Sequence, residues 1–290
     1  MQTRKPIVAG QFYPAGQNSC LAEINECLGE EKLPSQLPET IVAGIVPHAG
    51  WTFSGGLAAL VFSAIKQRCD KVDTFVIFGA AHGYRGPAPA VYDKGSWLTP
   101  LGKVAVDEDL AEAVLKTNAA VADTEAHEGE HSIEVQIPFI QHLFGDAKIL
   151  PILTPPSELV IPLGDAIGDI MKNQQKKIVC IGSTDLTHYG PGYGFTPMGT
   201  GAKALNWASE VNDKEFIDFA LQLNPQRMLA SAAENYNACG AGAAAATVAV
   251  AKKLGKTKGL LLAHTNSNKV MIEKMGTSSA ESVGYAAIVF

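Results

Sequence analysis

Short aliphatic runs alternate with stretches of helical periodicity along this chain, and that alternation constrains its fold more than any other feature. Six runs rich in β-branched or aliphatic residues stand at 41–47 (IVAGIVP), 74–79 (TFVIFG), 148–153 (KILPIL), 177–183 (KIVCIGS), 258–263 (KGLLLA) and 284–290 (GYAAIVF). Between them, 55–69 carries Leu57, Leu60, Val61, Ala64 and Ile65 at helix spacing, and 107–116 opens on Asp107, a good N-cap. The stretch 132–144 places Ile133, Ile137, Ile140 and Phe144 on one face, with Pro138 expected to kink it. Helices are also expected over 157–172, 199–221 and 239–254. Strands without polar alternation, separated by helices, predict an α/β fold: a three-layer α/β/α domain around a mainly parallel or mixed sheet.

No Pro/Ser-rich linker, charge block or repeat divides the 290 residues, so a single domain over 1–290 is expected although the length alone allows two. Apolar residues make up 47% and charged ones 18%, which suits a large core and not a disordered chain. The net charge of −6, with no Lys/Arg cluster, argues against nucleic acid or an anionic membrane surface as partner. No apolar run approaches the ~18 residues of a membrane span, and the N-terminus lacks the apolar core of a signal peptide. Five cysteines without a CxxC pair fit reduced thiols and a cytoplasmic location.

In open α/β sheets ligands bind beyond the strand carboxyl ends, where loops and helix N-termini converge. Three of the seven histidines follow such ends: His48 in Pro47-His48-Ala49-Gly50, His82 in Gly79-Ala80-Ala81-His82, and His188 in Ser183-Thr184-Asp185-Leu186-Thr187-His188. Clustered imidazoles point to a metal or acid–base site. His131, in Glu130-His131-Ser132-Ile133-Glu134, fits either a helix-capping segment with Ser132 near the helix start or a loop presenting its imidazole to substrate.

Two familiar patterns do not fit their contexts. His127-Glu128-Gly129-Glu130-His131 matches the H-E-x-x-H of zinc proteases, but Gly129 costs about 1 kcal/mol inside a helix and the helical pattern begins only after His131. Gly240-Ala241-Gly242-Ala243-Ala244-Ala245 reads G-x-G-x-x-A, yet polar 234–238 stands where a dinucleotide fold needs a strand, so no nucleotide cofactor is expected. Cys239 lies beside Gly240 at a helix start, either as a small buried residue or, beside three histidines, as a soft metal ligand.

Six motifs in order, AGQFYPAG from residue 9, PHAGWTFSG at 47–55, GAAHG at 79–83, EHSIEVQIPF at 130–139, STDLTHYG at 183–190 and NACG at 237–240, with SVGYAAIVF at the C-terminus, resemble the Memo family. That family is related in fold to the class III extradiol, LigB-type, dioxygenases. The resemblance implies an α/β/α domain with its site in a strand-end cleft. It implies His48, His82 and Cys239 as ligands of one metal ion, His188 as the acid–base histidine with Asp185 near it, and His131 lining the pocket. The related dioxygenases hold ferrous iron with two histidines and a glutamate. Cys239 in the third place brings in copper beside iron, with zinc behind both. Bacterial members accompany an AMMECR-type protein and a radical-SAM protein, and animal members are associated with phosphopeptide binding.

Three functions compete on this reading. The first is a metal-dependent oxidoreductase resembling the extradiol dioxygenases, acting on a small, even aromatic, molecule. The second is a peptide- or metabolite-binding module that kept the cleft without the chemistry. The third is a zinc-dependent hydrolase.

Overall fold

The computed structural model describes residues 2–30 and 32–290. In chain order the strands are β1 (Thr3–Arg4), β2 (Ala43–Val46), β3 (Thr74–Gly79), β4 (Ala90–Val91), β5 (Ser96–Thr99), β6 (Gly102–Ala105), β7 (Val121–Ala122), β8 (Lys148–Leu153), β9 (Ile178–Ser183), β10 (His188–Tyr189), β11 (Leu260–Asn266) and β12 (Ser282–Val289). The helices are α1 (Gln17–Glu30), α2 (Trp51–Arg68), α3 (Glu108–Leu115), α4 (Ile137–Phe144), α5 (Val160–Lys172), α6 (Ala202–Trp207), α7 (Lys214–Leu221), α8 (Pro225–Asn235), α9 (Ala241–Lys253) and α10 (Ser267–Met275).

The large sheet runs β10-β12-β2-β9-β3-β8-β4-β7, with β11 paired to β12 outside that path. Its centre, β2-β9-β3-β8, is parallel, while β12 joins β2 and β4 joins β8 antiparallel. The sheet is therefore mixed. Every residue of β2, β3 and β9 is buried, as their unbroken apolar runs require when both faces are covered.

Two glycines show which helix covers which face. Gly44 pairs in register with Ile181, so those two share a face and Gly182, next in β9, points to the other. A Cβ on Gly44 would meet Val61 of α2 at 2.6 Å, and one on Gly182 would meet Thr247 of α9 at 2.3 Å. Helices α2 and α9 thus lie on opposite faces, with α1 and α4 packed on α2, and α5 and α8 packed on α9. This is the expected α/β/α layering, built on close helix–strand approaches that only glycine permits.

Local structure departs from expectation in three places. Pro138 does not kink a helix over 132–144: a 3-10 turn at Glu134–Gln136 precedes α4, and Pro138 sits in its first turn, where the missing N–H has no partner to lose. The expected helix over 199–221 is broken into α6, a π-helical segment Ala208–Asp213 and α7. The hairpin of β5 and β6 and helices α8 and α10 have no counterpart among the expected elements, since none carries a long apolar pattern. Asp107 caps α3 as expected, accepting from Leu110 N. None of the five cysteines is in a disulfide, and among the described residues no helix is long and apolar enough to cross a membrane.

Candidate metal centre

The register pairs Val46 with Ser183, Phe78 with Gly182 and Gly79 with Leu153, so the carboxyl ends of β2, β9, β3 and β8 lie side by side. His48 follows β2 and is 2% exposed. Its backbone N–H donates to Asp185 Oδ1 at 2.7 Å, joining the loop after β2 to the loop after β9. Its Nδ1 lies 3.0 Å from Ser183 Oγ. That hydroxyl spends its single hydrogen on Ser132 O, at 2.7 Å, and accepts from Gln136 Nε2. His48 Nδ1 must then be the donor, which leaves Nε2 with a bare lone pair. Burial, followed by the neighbouring imidazoles of His82 and His131, holds the His48 pKa well below the usual histidine range.

His82 follows β3. Its Nδ1 stands 3.1 Å from Glu130 Oε2, and its backbone N–H donates to the same oxygen at 3.1 Å. Glu130 Oε1 accepts from the backbone N–H groups of His131 and Ser132, each at 2.8 Å. Burial alone would lower the His82 pKa; the Glu130 carboxylate outweighs it and the net shift is upward. Glu130 is held well down in turn: burial opposes its charge, but the bonds from His82 and Ser132 win.

His131 stacks on His82 with centroids 5.1 Å apart and planes 7° from parallel. The His48 ring stands nearly perpendicular to both, 5.2 Å from His82 and 5.4 Å from His131. One nitrogen from each of His48, His82 and His131 lies within 4.8 Å of the others. Cys239, the third ligand expected from the sequence, is not one of that group of three, but its sulfur lies 3.2 Å from His48 Nε2 and its backbone N–H bonds Asp185 O at 3.2 Å. Burial pushes the Cys239 thiol up, and the nearby Asp185 adds to that.

A cleft of about 400 Å³ opens over these groups. His48, His82, His131, Asp185 and His188 line it, and Cys239 touches His48 without lining the cleft. His188 donates Nδ1–H to Leu186 O at 3.0 Å, which leaves Nε2 as the exchangeable atom, and its ring meets Tyr193 edge-on at 5.2 Å. All six residues singled out from the sequence therefore gather at one end of the sheet. A larger hollow, about 840 Å³, lies at the amino ends of β3 and β8, but it is flanked by the Lys176–Asp107 ion pair and holds no histidine.

The two misleading motifs separate cleanly. His127 ends a 3-10 turn, Gly129 has φ +81°, and the His127 ring packs against Tyr92 and Trp97 while its Nε2 donates to Ala90 O at 3.1 Å. Only His131 of the H-E-x-x-H string reaches the cleft. Gly240 and Gly242 serve packing: Cβ atoms there would stand 2.3 Å from Ser183 O and 2.3 Å from Thr154 O, so α9 is seated directly on the ends of β9 and β8. Ser132 caps no helix; its Oγ accepts from Ala80 N at 3.0 Å and closes the loop after β3. Sequence reasoning missed Glu130 and Ser183 as partners of the imidazoles, and Gln136 as the residue that bonds Ser183 Oγ. Glu130 stands next to His131 in the chain, but its bond to His82 spans 48 positions and leaves no local signal.

Three imidazoles and a thiol at the carboxyl ends of a parallel sheet centre, between two helical layers, define an α/β/α protein with a nitrogen- and sulfur-rich strand-end site. The family described as Memo-like protein matches residues 4–289. MEMO1 family proteins of Thermococcus onnurineus and Methanosarcina barkeri are each 37% identical over 99% of this chain and 99% of their own length. That of Methanopyrus kandleri is 35% identical over 99% of this chain and 98% of its own. The chain belongs to the Memo family.

Proposed function

We propose that this chain is a metal-dependent oxidoreductase, resembling the extradiol dioxygenases, with its metal held by His48, His82, His131 and Cys239. The supporting observation is the convergence of three imidazole nitrogens within 4.8 Å, with the Cys239 sulfur 3.2 Å from His48 Nε2. The donor set fits a transition metal, because Ser183 turns His48 Nδ1–H away from the cluster and Glu130 does the same for His82, so each presents Nε2. Nitrogen with thiolate suits copper and iron, and also zinc. Bound there, the ion supplies a redox-active or Lewis-acidic centre beside the cleft.

The chain's own groups supply the rest. Phe12, Phe53 and Tyr285 give the cleft apolar walls on which a planar molecule can lie. His188, oriented through Nδ1, has Nε2 available to take or return a proton at the cleft wall. Asp185 holds the loops after β2 and β9 together through His48 N. Metal analysis of anaerobically purified protein, then oxygen uptake with a panel of catechols, tests this. Stoichiometric iron or copper with ligand-dependent uptake supports it. Zinc with hydrolysis of an activated ester supports a zinc hydrolase. Ligand binding without turnover supports a binding module on the same cleft.

A further inference from the structure

Glu130 is 3% exposed and meets hydrogen-bond donors on every side. Its Oε1 takes the backbone N–H groups of His131 and Ser132, Oε2 takes His82 N, and His82 Nδ1 faces both oxygens, at 3.2 and 3.1 Å. The peptide that carries it is pinned from behind, because Arg4 Nη2 donates to Glu130 O at 2.5 Å while Arg4 Nη1 pairs with Glu134 at 2.7 Å. One side chain therefore touches two of the three clustered histidines, one through its ring and one through its backbone.

An ionised carboxylate only accepts. The hydrogen on His82 must then sit on Nδ1, and the lone pair on Nε2. We propose that Glu130 is the positioning residue of the centre: it selects the His82 tautomer that offers Nε2 as ligand and sets the His131 backbone in the same register. The proposal rests on the reading of these histidines as metal ligands. Asp107, at the amino ends of the strands, is an internal control. It is fully buried and bonds Thr74 Oγ1, Leu110 N and Lys176 Nζ, but no histidine.

In Glu130→Gln the two backbone donors at Oε1 keep the amide oxygen, so the NH₂ falls at the Oε2 position. It faces His82 Nδ1 and the His82 backbone N–H with a donor, so only the oxygen already shared by His131 and Ser132 is left to accept from Nδ1, and the tautomer protonated at Nε2 gains. Long-range ¹H–¹⁵N spectra of the metal-free protein at alkaline pH read the tautomer directly, and zinc(II) titration against a chelator reads affinity. Wild type is expected to carry the His82 proton on Nδ1. Glu130→Gln is expected to shift it towards Nε2 and to weaken zinc about 10- to 100-fold, with Glu130→Asp, which keeps the charge, falling between. Asp107→Asn is expected to lower thermal stability and leave tautomer and affinity unchanged. An unaltered tautomer in Glu130→Gln, or equal loss in Asp107→Asn, overturns the proposal. Wild type that takes up no metal overturns the metal-site reading, while the tautomer comparison still decides the role of Glu130.

Discussion

His48 Nε2 and Cys239 Sγ lie 3.2 Å apart although 191 positions separate them in the chain. The contact exists because β2 and β9 are parallel neighbours and α9 begins directly on the end of β9. Gly240 N donates to Thr184 Oγ1 at 2.9 Å, and a Cβ on Gly240 would stand 2.3 Å from Ser183 O. The position of the thiol is thus set by a glycine contact one residue away.

Gly240→Ala forces the start of α9 off the strand end, at a cost of about 1–3 kcal/mol, and carries Cys239 away from His48. Gly164→Ala is a matched control, since a Cβ there would stand 2.6 Å from Ala246 O, at the α5–α9 contact away from the site. Both variants should melt at lower temperature. Metal titration should show weaker binding only in Gly240→Ala; equal affinities would detach the thiol from the centre.

Replacing Cys239 by Ser exchanges a soft, anionic ligand for a poor neutral one. Copper and zinc affinity should fall much further than in Cys69→Ser, whose thiol bonds Lys71 O far from the cleft. Cys239→Glu should shift preference from copper towards iron. Parallel isotherms for wild type and all three variants would show Cys239 to be a packing residue.

His131→Ala removes a nitrogen from the cluster, and metal affinity should drop with little loss of stability, because His131 is partly exposed in the cleft. His127→Ala should do the reverse. It strips a buried ring from Tyr92 and Trp97 and leaves Ala90 O without its donor, a cost of about 2–4 kcal/mol, with metal affinity unchanged. Calorimetric metal titration beside denaturant unfolding checks both. Equal metal loss would revive the H-E-x-x-H alternative.

Asp107 carries a pH dependence at the opposite end of the sheet. Burial would raise its pKa, but Thr74 Oγ1 at 2.5 Å, Lys176 Nζ at 3.0 Å and Leu110 N at 3.2 Å outweigh it, and the net shift is downward. A folded-state pKa below the unfolded value contributes stability that is present above the unfolded value of about 3.9, and that is lost as pH falls through the folded value. Asp107→Ala should therefore cost about 2–3 kcal/mol at pH 7, and the gap to wild type should close below the ordinary carboxylate range. Urea unfolding at pH 7 and at pH 3 measures it; a gap of constant size would place the loss in packing.

Much of the fold and part of the site can be read from the sequence, because those features arise over a few neighbouring residues. The TFVIFG and KILPIL runs become β3 and β8 at the expected limits, since an unbroken apolar run bounded by turn residues has one stable use in a covered sheet. Asp107 caps α3 through a bond three residues long. His48, His82 and His188 lie in the cleft because each follows a strand whose carboxyl end faces it. Only the tertiary structure decided which atoms meet. The sequence allows His131 either a capping or a site role, and the bonds of Ser132 and Glu130 to the loop after β3 set it against His82. The His48 tautomer follows from Ser183 and Gln136, and the His82 tautomer from Glu130, partners 135, 88 and 48 positions away in the chain. Hydrophobic periodicity is a local property, legible one segment at a time. A hydrogen bond across the sheet has no local pattern, so the chemistry of each imidazole was settled only when distant loops were brought within 3 Å of one another.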